Sequence, residues 1–435
     1  MIVIKSTVNH LHDSYQFVIE ITFCNNSSFY LAAEKINKMK THHQILIVGG
    51  GNAGITAAAQ LLRHHQELDI AVIEPNDKHY YMPAWTLVGG GVYDMKDTIH
   101  EEADVMPKKA HWIKDYVTGF QPDENTLTTQ SGNVYSYNIL IVGAGIQMNW
   151  HLVKGLNETL GKNGVTSNYH KDYATYTWDC LKNLKDGDVV LFTAPATPVR
   201  CGGAPQKIMY LFGDYCRKHN IKTHLEFTSG GSVIFGIKKY ADELTKMVNK
   251  YGIQLSFKHD LIAVDGTSKV ATFKVTDANG ITTEVQKKFD VIHVTPPQSA
   301  PDYFSQSSLA DVKGWFDADK YTLQHVRYKN VFGLGDILNT PNAKTGAAIR
   351  KQTPVLVKNV LAFMNKQPLQ AKYNGYGSCP LVVGYGKLIL AEFGYDNKVM
   401  ETFPFDQSKP SRLMYLLKRY VLPWLYWHKI VKGQM

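Results

Sequence analysis

Short runs of apolar residues recur along the chain, and a stretch with a helical pattern separates the first two of them. Residues 45–48 form an uninterrupted apolar run that leads directly into a glycine-rich segment, residues 49–54. An Ala- and Leu-rich stretch at 55–63 predicts a helix, and residues 70–73 predict a second buried strand that ends at Glu74. A strand, a helix and a second strand in this order predict a βαβ unit.

Further elements of the same kind follow this unit. Apolar runs predict strands at 139–142, 189–192, 224–227 and 291–294, and helices are predicted at 206–217 and 240–251. Residues 331–336 return to the pattern of the first unit, and after about residue 371 the composition shifts to Gly, Tyr, Phe and Trp. We therefore predict an α/β fold with two Rossmann-like domains and a separate C-terminal element.

Composition and charge exclude several classes of protein. The chain has 435 residues, 44% hydrophobic and 20% charged, which is the balance of a globular protein with two or three domains. No uncharged apolar run approaches the roughly 18–20 residues that span a bilayer. The net charge of +9 fits either nucleic acid or an anionic membrane surface. No nucleic-acid-binding motif is present, and near the C-terminus the cations lie among large aromatics, so we expect a membrane surface and no nucleic acid.

The cysteines are few. Five is an odd number and none of them forms a CxxC pair, so neither a disulfide scaffold nor a metal site is expected. Cys180 and Cys216 fall in predicted helices and are interpreted as structural, and Cys24 lies in the N-terminal segment. Any special cysteine should therefore be catalytic or redox-active.

Residues 1–42 precede the first predicted strand and form an extension of unknown role. They contain no arginine and carry Asp13, Glu20 and Glu34, a composition unlike that of a transit peptide or a secretory signal. Met39, just ahead of the first predicted strand, offers an alternative start of translation.

The glycine-rich segment has the context that a dinucleotide fingerprint requires. Gly49, Gly51 and Gly54 lie between a predicted strand and a predicted helix. Glycines at these positions allow a tight turn and let the backbone approach a pyrophosphate at the helix N-terminus. Glu74 follows Gly54 by twenty residues, at the end of the next strand, where it can bind a ribose 2′-hydroxyl and disfavours NADP. By itself the fingerprint fits either NAD or FAD.

A second motif favours FAD. Gly335 and Asp336 end a predicted strand and precede a helix predicted from about Ala343, an arrangement that resembles the second FAD motif of disulfide-reductase-like flavoproteins. In that motif the aspartate accepts hydrogen bonds from the ribityl chain. The N-terminus of the following helix, with Lys344, would stabilise an anionic reduced flavin.

Flavoproteins of this architecture usually carry another glycine fingerprint, for NAD(P)H, in the second domain. Here the corresponding segment, residues 193–203, has Pro195 and Pro198 in place of glycines. Proline can neither take a positive φ nor donate an N–H to phosphate, so we predict no nicotinamide site. In its place stands Cys201, flanked by Arg200 and two glycines.

A second cysteine with a similar setting lies far along the chain. Cys379 is flanked by Gly377, Ser378 and Pro380, and both it and Cys201 are predicted in loops where sulfur is accessible. The sequence alone does not distinguish a redox pair from two independent thiols. Arg200 and Lys207 could lower the pKa of a nearby thiol or be ordinary surface cations.

The chain from His43 to Gly433 resembles the sulfide:quinone oxidoreductases of mitochondria and some bacteria. The most specific segments are 197–207, 235–242, 293–297, 378–382 and 401–410, which read TPVRCGGAPQK, FGIKKYAD, HVTPP, SCPLV and ETFPFDQSKP. The resemblance implies that Cys201 and Cys379 form a catalytic redox pair. It also implies that FAD is bound noncovalently. The residues predicted to bind it are Gly49, Gly50, Gly51, Asn52, Gly54, Glu74, Met82, Val117, Gly335, Asp336 and Lys344.

The same resemblance implies the partners. Hydrogen sulfide would attack the cysteine bridge and leave a persulfide on Cys379, and Cys201 would pass two electrons to FAD. Ubiquinone or menaquinone would reoxidise the flavin, and sulfite, glutathione or sulfide would accept the sulfane sulfur. The rival functions are an NADH:quinone oxidoreductase of the same fold and a non-enzymatic flavoprotein that carries persulfide or senses redox state.

The resemblance and the pattern together predict the domain boundaries and the location of the protein. We expect a discontinuous FAD domain at 43–150 and 322–370, a second Rossmann-like domain at 151–321 and a quinone- and membrane-facing region at 371–435. Residues 412–432 mix apolar and aromatic residues with five cations, among them Lys418, and Pro423 is expected to divide them into two short helices. Such a segment lies in the membrane interface, so the protein is expected to be peripheral on a bacterial cytoplasmic or mitochondrial inner membrane.

Overall fold

The computed structural model describes residues 41–435 in full and, nearer the N-terminus, the backbone of four strands. The chain forms two compact units, Met1–His43 and Gln44–Met435. In the first unit, three antiparallel strands run in the order β1, β2, β3, and β4 also pairs with β2. The bounds of these strands are β1 (Val3–Leu11), β2 (Ser14–Thr22), β3 (Ser28–Ala32) and β4 (Ile36–Asn37). Cys24 lies outside the described residues.

The larger unit contains a seven-stranded sheet that includes both strands of the predicted βαβ unit. Its order is β10-β11-β12-β5-β6-β9, with β23 parallel to β12. The strands are β5 (His42–Val48), β6 (Ile70–Ile73), β9 (His111–Ile113), β10 (Val117–Gln121), β11 (Thr126–Thr129), β12 (Val134–Val142) and β23 (Val331–Gly333). The pairing of β23 with β12 brings the Gly335 motif to the edge where the glycine fingerprint follows β5. Residues far apart in sequence therefore meet at one end of one sheet.

Helices and a short hairpin surround this sheet. The antiparallel strands β7 (Lys78–Tyr80) and β8 (Ile99–Glu101) pair with each other. Helix α1 packs against α9, and both contribute apolar side chains to one core with β5, β6 and β12. The helices are α1 (Asn52–His64), α2 (Trp85–Gly89), α3 (Glu102–Val105), α8 (Asp302–Ser305) and α9 (Gly346–Met364). Single 3-10 turns occur at Met82–Ala84, Met95–Thr98, Trp150–Leu152 and Tyr395–Asn397.

A second sheet, in which all the strands are parallel, has the order β14-β21-β15-β16-β17. Its strands are β14 (Val165–Thr166), β15 (Val189–Ala194), β16 (His224–Ser229), β17 (Gln254–Phe257) and β21 (Val291–His293). Its helices are α4 (Leu156–Thr159), α5 (Lys171–Lys182), α6 (Ala204–His219) and α7 (Lys238–Tyr251). Two small antiparallel sheets flank it: β13 (Gln147–Met148) with β22 (Gln298–Ser299), and β18 (His259–Asp265), β19 (Val270–Thr276) and β20 (Thr282–Lys288). Two Rossmann-like sheets in a mixed α/β fold agree with the prediction.

The C-terminal part begins with a hairpin, β24 (Gly377–Gly384) and β25 (Lys387–Phe393), and β24 packs on α6. A continuous helical stretch follows: α10 (Arg412–Leu416), a π-helical turn (Leu417–Val421), α11 (Leu422–Leu425) and a second π-helical turn (Tyr426–Ile430). The residues that join these pieces keep right-handed helical backbone angles. The expected break at Pro423 is therefore wrong, because the π-helical turn just before α11 accommodates the proline without ending the helix.

None of the described helices is long and apolar enough to cross a membrane.

Candidate functional site

The glycine fingerprint forms the tight turn that the sequence predicts. Gly49 has a φ of +98°, and a Cβ placed on Gly54 would lie 1.9 Å from the carbonyl oxygen of Gly49. Helix α1 begins at Asn52, and a Cβ on Gly51 would have no protein atom within 4 Å. The turn is therefore closed on its inner side and open where a pyrophosphate could approach the N-terminus of α1.

Glu74 lies against this turn. Its Oε2 accepts a hydrogen bond of 2.8 Å from the backbone N–H of Gly50, and its Oε1 accepts one of 2.9 Å from that of Asn76. The carboxylate is thus held at the end of β6, beside the fingerprint. This is the place that the sequence assigned to a ribose-binding acid, and the ribose assignment itself stays a prediction.

Asp336 has an unsatisfied acceptor. Gly335 takes a φ of +86° and donates its N–H to Oε1 of Gln352 at 2.9 Å, which fixes the turn that precedes α9. The Oδ1 atom of Asp336 is buried and has no hydrogen-bond partner in the described structure. Burial raises the pKa of this carboxyl. A buried acceptor without a partner is costly, so this atom fits a ligand hydroxyl such as one from the ribityl chain of FAD.

Lys344 connects the Asp336 turn to the cysteine loop. Its Nζ donates to the backbone oxygens of Asp336 and Leu338, both at 2.7 Å, and lies 4.0 Å from the centre of the Trp315 ring. Its own carbonyl accepts a 2.7 Å hydrogen bond from the N–H of Cys201. Burial lowers the pKa of Lys344 to about 8. Helix α9 starts at Gly346, with Thr345 as its cap, rather than at the predicted Ala343.

The structure brings Cys201 and Cys379 together. Their Sγ atoms lie 3.4 Å apart and are not bonded, although 178 residues separate them. Cys201 precedes α6 and adopts a φ of +55°, a left-handed conformation that is uncommon for a cysteine. A Cβ on Gly203 would lie 2.4 Å from the side chain of Leu381, so the glycine is what lets β24 approach this loop. The interpretation of the two residues as independent thiols is therefore disfavoured.

Cys379 does not lie in a loop, as predicted, but in strand β24, and it is only 1% exposed. The prediction failed because the glycine and proline around it indicate a turn, whereas the hairpin is built on long-range packing against α6. Cys201 lies in a turn, as expected, and is half-buried. Cys201 is therefore the more exposed residue of the pair.

The two sulfurs are electrostatically unequal. Lys207, in the first turns of α6, places its Nζ 3.2 Å from the Sγ of Cys201 and is itself buried. The hydrogen bond from Cys379 holds the pKa of Cys201 well below its ordinary value despite burial, and Lys207 lowers it further. The hydrogen bond to Cys201 and burial raise the pKa of Cys379. The arrangement thus favours a thiolate on Cys201 and a thiol on Cys379.

Lys207 is therefore not an ordinary surface cation. Burial lowers its pKa, but the charge of Cys201 and the hydrogen bond to its sulfur outweigh this effect, so that the pKa is raised and the amine stays protonated. Arg200, the other predicted cation, does not turn toward the sulfurs. Its guanidinium contacts the Sδ of Met82, and its backbone N–H donates to Gln298 at 2.7 Å.

Lys418 is a functional candidate that sequence reasoning missed. It was predicted among the cations that face lipid, but it is 4% exposed and its Nζ donates to the carbonyl of Pro83 at 2.9 Å. Burial lowers the pKa of Lys418 to about 7, and the like charge of Lys207 acts in the same direction. A lysine in an amphipathic stretch resembles a surface cation, and only the packing of the helix shows that this one points inward.

Buried polar atoms without partners cluster around the Cys201 loop. They include Oδ1 and Nδ2 of Asn168, the hydroxyls of Tyr169 and Thr295, Nε of Arg200, Nε2 of Gln298 and Oδ1 of Asp336. The charges of Cys201 and Arg200 act on Tyr169, whose hydroxyl adjoins that of Thr295, and Arg200 also contacts Gln298 and acts on Asp336, which places these groups in one region. Native proteins leave few such groups unsatisfied, so the region fits a large polar ligand such as a flavin. Asn168, Tyr169 and Gln298 carry no sequence signal that predicts this role.

Asn52, Met82 and Val117 are the remaining residues predicted to bind the cofactor. Asn52 opens α1, and its side-chain oxygen accepts a hydrogen bond from Thr56 at 3.2 Å. Met82 lies in the 3-10 turn beside Arg200. Val117 is buried in β10, three strands from β5 in the order of the sheet. The assignment of these three residues to FAD stays a prediction.

The two structural cysteines lie where the sequence placed them. Cys180 in α5 and Cys216 in α6 are buried among apolar side chains. Burial raises the pKa of Cys180 to about 11 and also raises that of Cys216. Neither thiol is activated.

Several known proteins resemble this chain over most of its length. The family model of pyridine nucleotide-disulphide oxidoreductases matches residues 43–176. The mitochondrial sulfide:quinone oxidoreductase of Dictyostelium discoideum is 46% identical over 413 residues, covering 94% of this chain and 90% of the relative. The mitochondrial enzyme of Mus musculus is 43% identical over 396 residues, covering 91% and 87%. The crystal structure of the Aquifex aeolicus sulfide:quinone oxidoreductase superposes with a TM-score of 0.73 at 21% identity, covering 90% of this chain and 92% of that one. The chain belongs to the sulfide:quinone oxidoreductase family.

Proposed function

We propose that this protein oxidises hydrogen sulfide through Cys201 and Cys379 and transfers the electrons by way of FAD to a membrane quinone. The observation that carries the proposal is the pair of sulfurs 3.4 Å apart with the buried Lys207 on one of them. The names of its relatives support the sulfide and quinone substrates. FAD, when bound, supplies the two-electron chemistry that links them.

The inequality of the sulfurs sets the direction of the sulfide step. In the oxidised enzyme the two cysteines are joined, and hydrosulfide attacks the sulfur of Cys379. A new S–S bond forms there, the bond to Cys201 breaks, and Cys201 leaves as a thiolate with the electron pair. The thiol of lower pKa is the better leaving group, and Lys207 stabilises the charge that it acquires. Cys379 keeps the persulfide until sulfite, glutathione or a second sulfide takes its outer sulfur and leaves a Cys379 thiolate. Re-forming the Cys201–Cys379 bond would then release two electrons, which FAD would accept.

The cofactor residues act by binding and by charge. The turn at Gly51 and the N-terminus of α1 would hold the pyrophosphate, the Oδ1 of Asp336 would accept a hydrogen bond from a ribityl hydroxyl, and Lys344 would add positive charge beside the flavin. We propose that these residues bind FAD noncovalently. The FAD domain would comprise 43–150 and 322–370, and 151–321 would form a second domain without nicotinamide.

The C-terminal helical stretch supports peripheral binding to a respiratory membrane, either bacterial cytoplasmic or mitochondrial inner. Five of its apolar side chains share one face and are exposed, and we name this face the apolar ridge. These side chains are Leu413, Leu416, Tyr420, Val421 and Trp424. Exposed Leu, Tyr and Trp on one helix face are typical of insertion at the headgroup boundary. Docking there gives a hydrophobic quinone, ubiquinone or menaquinone, access from the bilayer.

Two rival functions make different predictions. An NADH:quinone oxidoreductase would need a nucleotide turn where this chain has Pro195 and Pro198. A non-enzymatic persulfide carrier would react with sulfide once but would not turn over.

Anaerobic titration separates the three. Sulfide should bleach the oxidised flavin band, NADH should not, and a soluble quinone should restore the band and sustain turnover with sulfide. Bleaching by NADH would favour the dehydrogenase, and bleaching without quinone-dependent turnover would favour the carrier.

A further inference from the structure

A cleft with a volume of about 470 Å³ opens beside the C-terminal helical stretch, and neither Cys201 nor Cys379 lines it. It is bounded by the end of α2, the turn of the β24–β25 hairpin and one face of the helical stretch. Its polar and aromatic lining consists of Tyr385, Arg412, Tyr415, Arg419 and Tyr420. None of these residues belongs to the cofactor or sulfide site described above, so the cleft requires a separate explanation.

The cleft carries two free guanidinium groups. Arg412 and Arg419 are seven residues apart, about two helical turns, and therefore share a face of the helix. In the described part of the chain neither forms an ion pair, and Arg419 lies over the ring of Tyr420 at 5.0 Å from its centre. Arginine presents several N–H donors in a planar fork that matches a phosphate or carboxylate group.

The surroundings of the cleft do not neutralise its positive charge. Lys218 lies over the ring of Tyr385, with its Nζ 4.9 Å from the ring centre. The nearby carboxylate of Asp214 is already engaged by Arg217 at 3.2 Å and by Lys218 at 2.8 Å, and it also accepts from the N–H of Tyr385 at 2.9 Å. It is therefore not available to neutralise Arg412 or Arg419. The cleft is complementary to an anion.

The apolar ridge determines what kind of anion fits. Leu416 and Tyr420 belong both to the lining of the cleft and to the ridge, so the two features are continuous. A ligand with an anionic head in the cleft could lay its apolar part along Leu413 and Trp424. A free phosphate or an acidic peptide would leave the ridge uncovered.

We propose that this cleft binds the phosphate group of an anionic phospholipid, with Arg412 and Arg419 as its two ligands and the acyl chains along the apolar ridge. The proposal rests on the membrane docking proposed above and adds a specific headgroup site to it. Such a site would fix the orientation of the helical stretch on the bilayer as well as its affinity.

The test compares vesicles of phosphatidylcholine with vesicles that also contain phosphatidylglycerol, using the flavin-loaded full chain. The variant Arg412→Gln/Arg419→Gln should lose about thirty-fold in affinity for the anionic vesicles, since each cation near the surface contributes about 1 kcal/mol. Binding to pure phosphatidylcholine should change much less, because the choline ammonium already compensates the phosphate charge of that lipid. Flavin content and sulfide turnover with a soluble quinone should remain as in the wild type, which shows that the variant is folded.

Two matched variants separate a built site from diffuse attraction. Arg63→Gln/Lys274→Gln removes the same charge at exposed positions outside the cleft and should bind anionic vesicles as the wild type does. Arg412→Lys/Arg419→Lys keeps the charge but loses the planar fork and should bind more weakly than the wild type.

The proposal is overturned if the Arg63/Lys274 variant loses as much affinity as the Arg412/Arg419 variant, or if the lysine variant binds like the wild type. It is also overturned if the cleft variant changes only the KM for a quinone. A wild type that binds neither kind of vesicle would remove the membrane docking itself, and with it this site.

Discussion

At the scale of single residues, the sulfur pair makes the sharpest prediction. Cys201→Ser and Cys379→Ser should each abolish sulfide oxidation while leaving FAD bound, because either change removes the bridge that hydrosulfide attacks. Cys180→Ser and Cys216→Ser alter buried thiols that are not activated and should retain turnover. The measurement is steady-state quinone reduction normalised to flavin content. Substantial turnover in Cys201→Ser or Cys379→Ser would remove the proposed mechanism.

The buried amine of Lys418 predicts a pH dependence of stability. Its folded pKa of about 7 lies below the ordinary value of 10.5, so between these values the unfolded chain binds more protons than the folded one. The contribution of Lys418 to the free energy of unfolding therefore rises with pH through that window. Burying the amine is most unfavourable at pH 7 and below.

The variant Lys418→Met isolates this contribution. It removes the buried charge, so the difference in the free energy of unfolding, variant minus wild type, should fall as pH rises from 7 toward 10. Lost packing or the lost hydrogen bond to Pro83 would change this difference by the same amount at pH 7 as at pH 10. Urea unfolding of flavin-loaded protein at several pH values measures the difference, and the exposed Lys274→Met serves as control. A constant difference would show that Lys418 is charged throughout.

The sequence predicted which candidate residues come together better than it predicted their surroundings. Cys201, Cys379 and Lys207 stand in distinctive segments, and the structure brings all three together. Lys418 and the unsatisfied groups of Asn168 and Tyr169 could not be found in this way. Their roles depend on which elements pack together, and no local pattern encodes that packing.

At the scale of elements, the turn between β5 and α1 can be tested directly. A Cβ on Gly51 meets no protein atom, so Gly51→Ala should leave the apoprotein folded. The added methyl group would nevertheless stand where the pyrophosphate approaches the backbone, and we expect FAD affinity to fall at least about tenfold. Gly236→Ala is a matched control, since a Cβ there is also free of contacts. Flavin retained at the wild-type level by Gly51→Ala would place the pyrophosphate elsewhere.

Element boundaries followed from the sequence where local signals are strong. Helix α7 was predicted at 240–251 and spans Lys238–Tyr251, because apolar periodicity and the glycine that ends it are both local. Strand β24 and the continuous helix through Pro423 were missed. In both cases tertiary packing outweighs the local preference of proline and glycine for turns.

At the scale of the whole molecule, the cofactor should be held by the fold alone. We predict that heat or acid releases the yellow chromophore and that it migrates away from the protein on a denaturing gel. The groups that surround the proposed flavin region, such as Asp336 and Lys344, hold a ligand by hydrogen bonds and charge. Flavin fluorescence that stays with the denatured polypeptide would show a covalent bond and contradict this expectation.

The C-terminal helical stretch has two faces, and this changes how its proposed role at a membrane should be tested. Met414, Tyr415, Tyr426 and Val431 are buried in the protein's own cores, so deleting residues 412–435 would expose those cores and destabilise the enzyme. The amphipathic pattern of the sequence alone does not show that the inward face of this segment is occupied. Point substitutions on the apolar ridge avoid this difficulty.

The variant Leu413→Ser/Trp424→Ser should remain folded and flavin-loaded, because these side chains are 62% and 50% exposed. It should nevertheless bind vesicles at least about tenfold more weakly, since burying a large apolar side chain contributes roughly 1.5–3 kcal/mol and neither serine can insert. Val134→Ser/Ile281→Ser changes two exposed apolar residues elsewhere and should co-sediment like the wild type. Turnover with a soluble quinone should be the same in all three proteins, whereas turnover with a quinone confined to vesicles should fall in the ridge variant alone. If the ridge variant still pellets with vesicles as the wild type does, this helix is not the surface through which the enzyme meets its membrane.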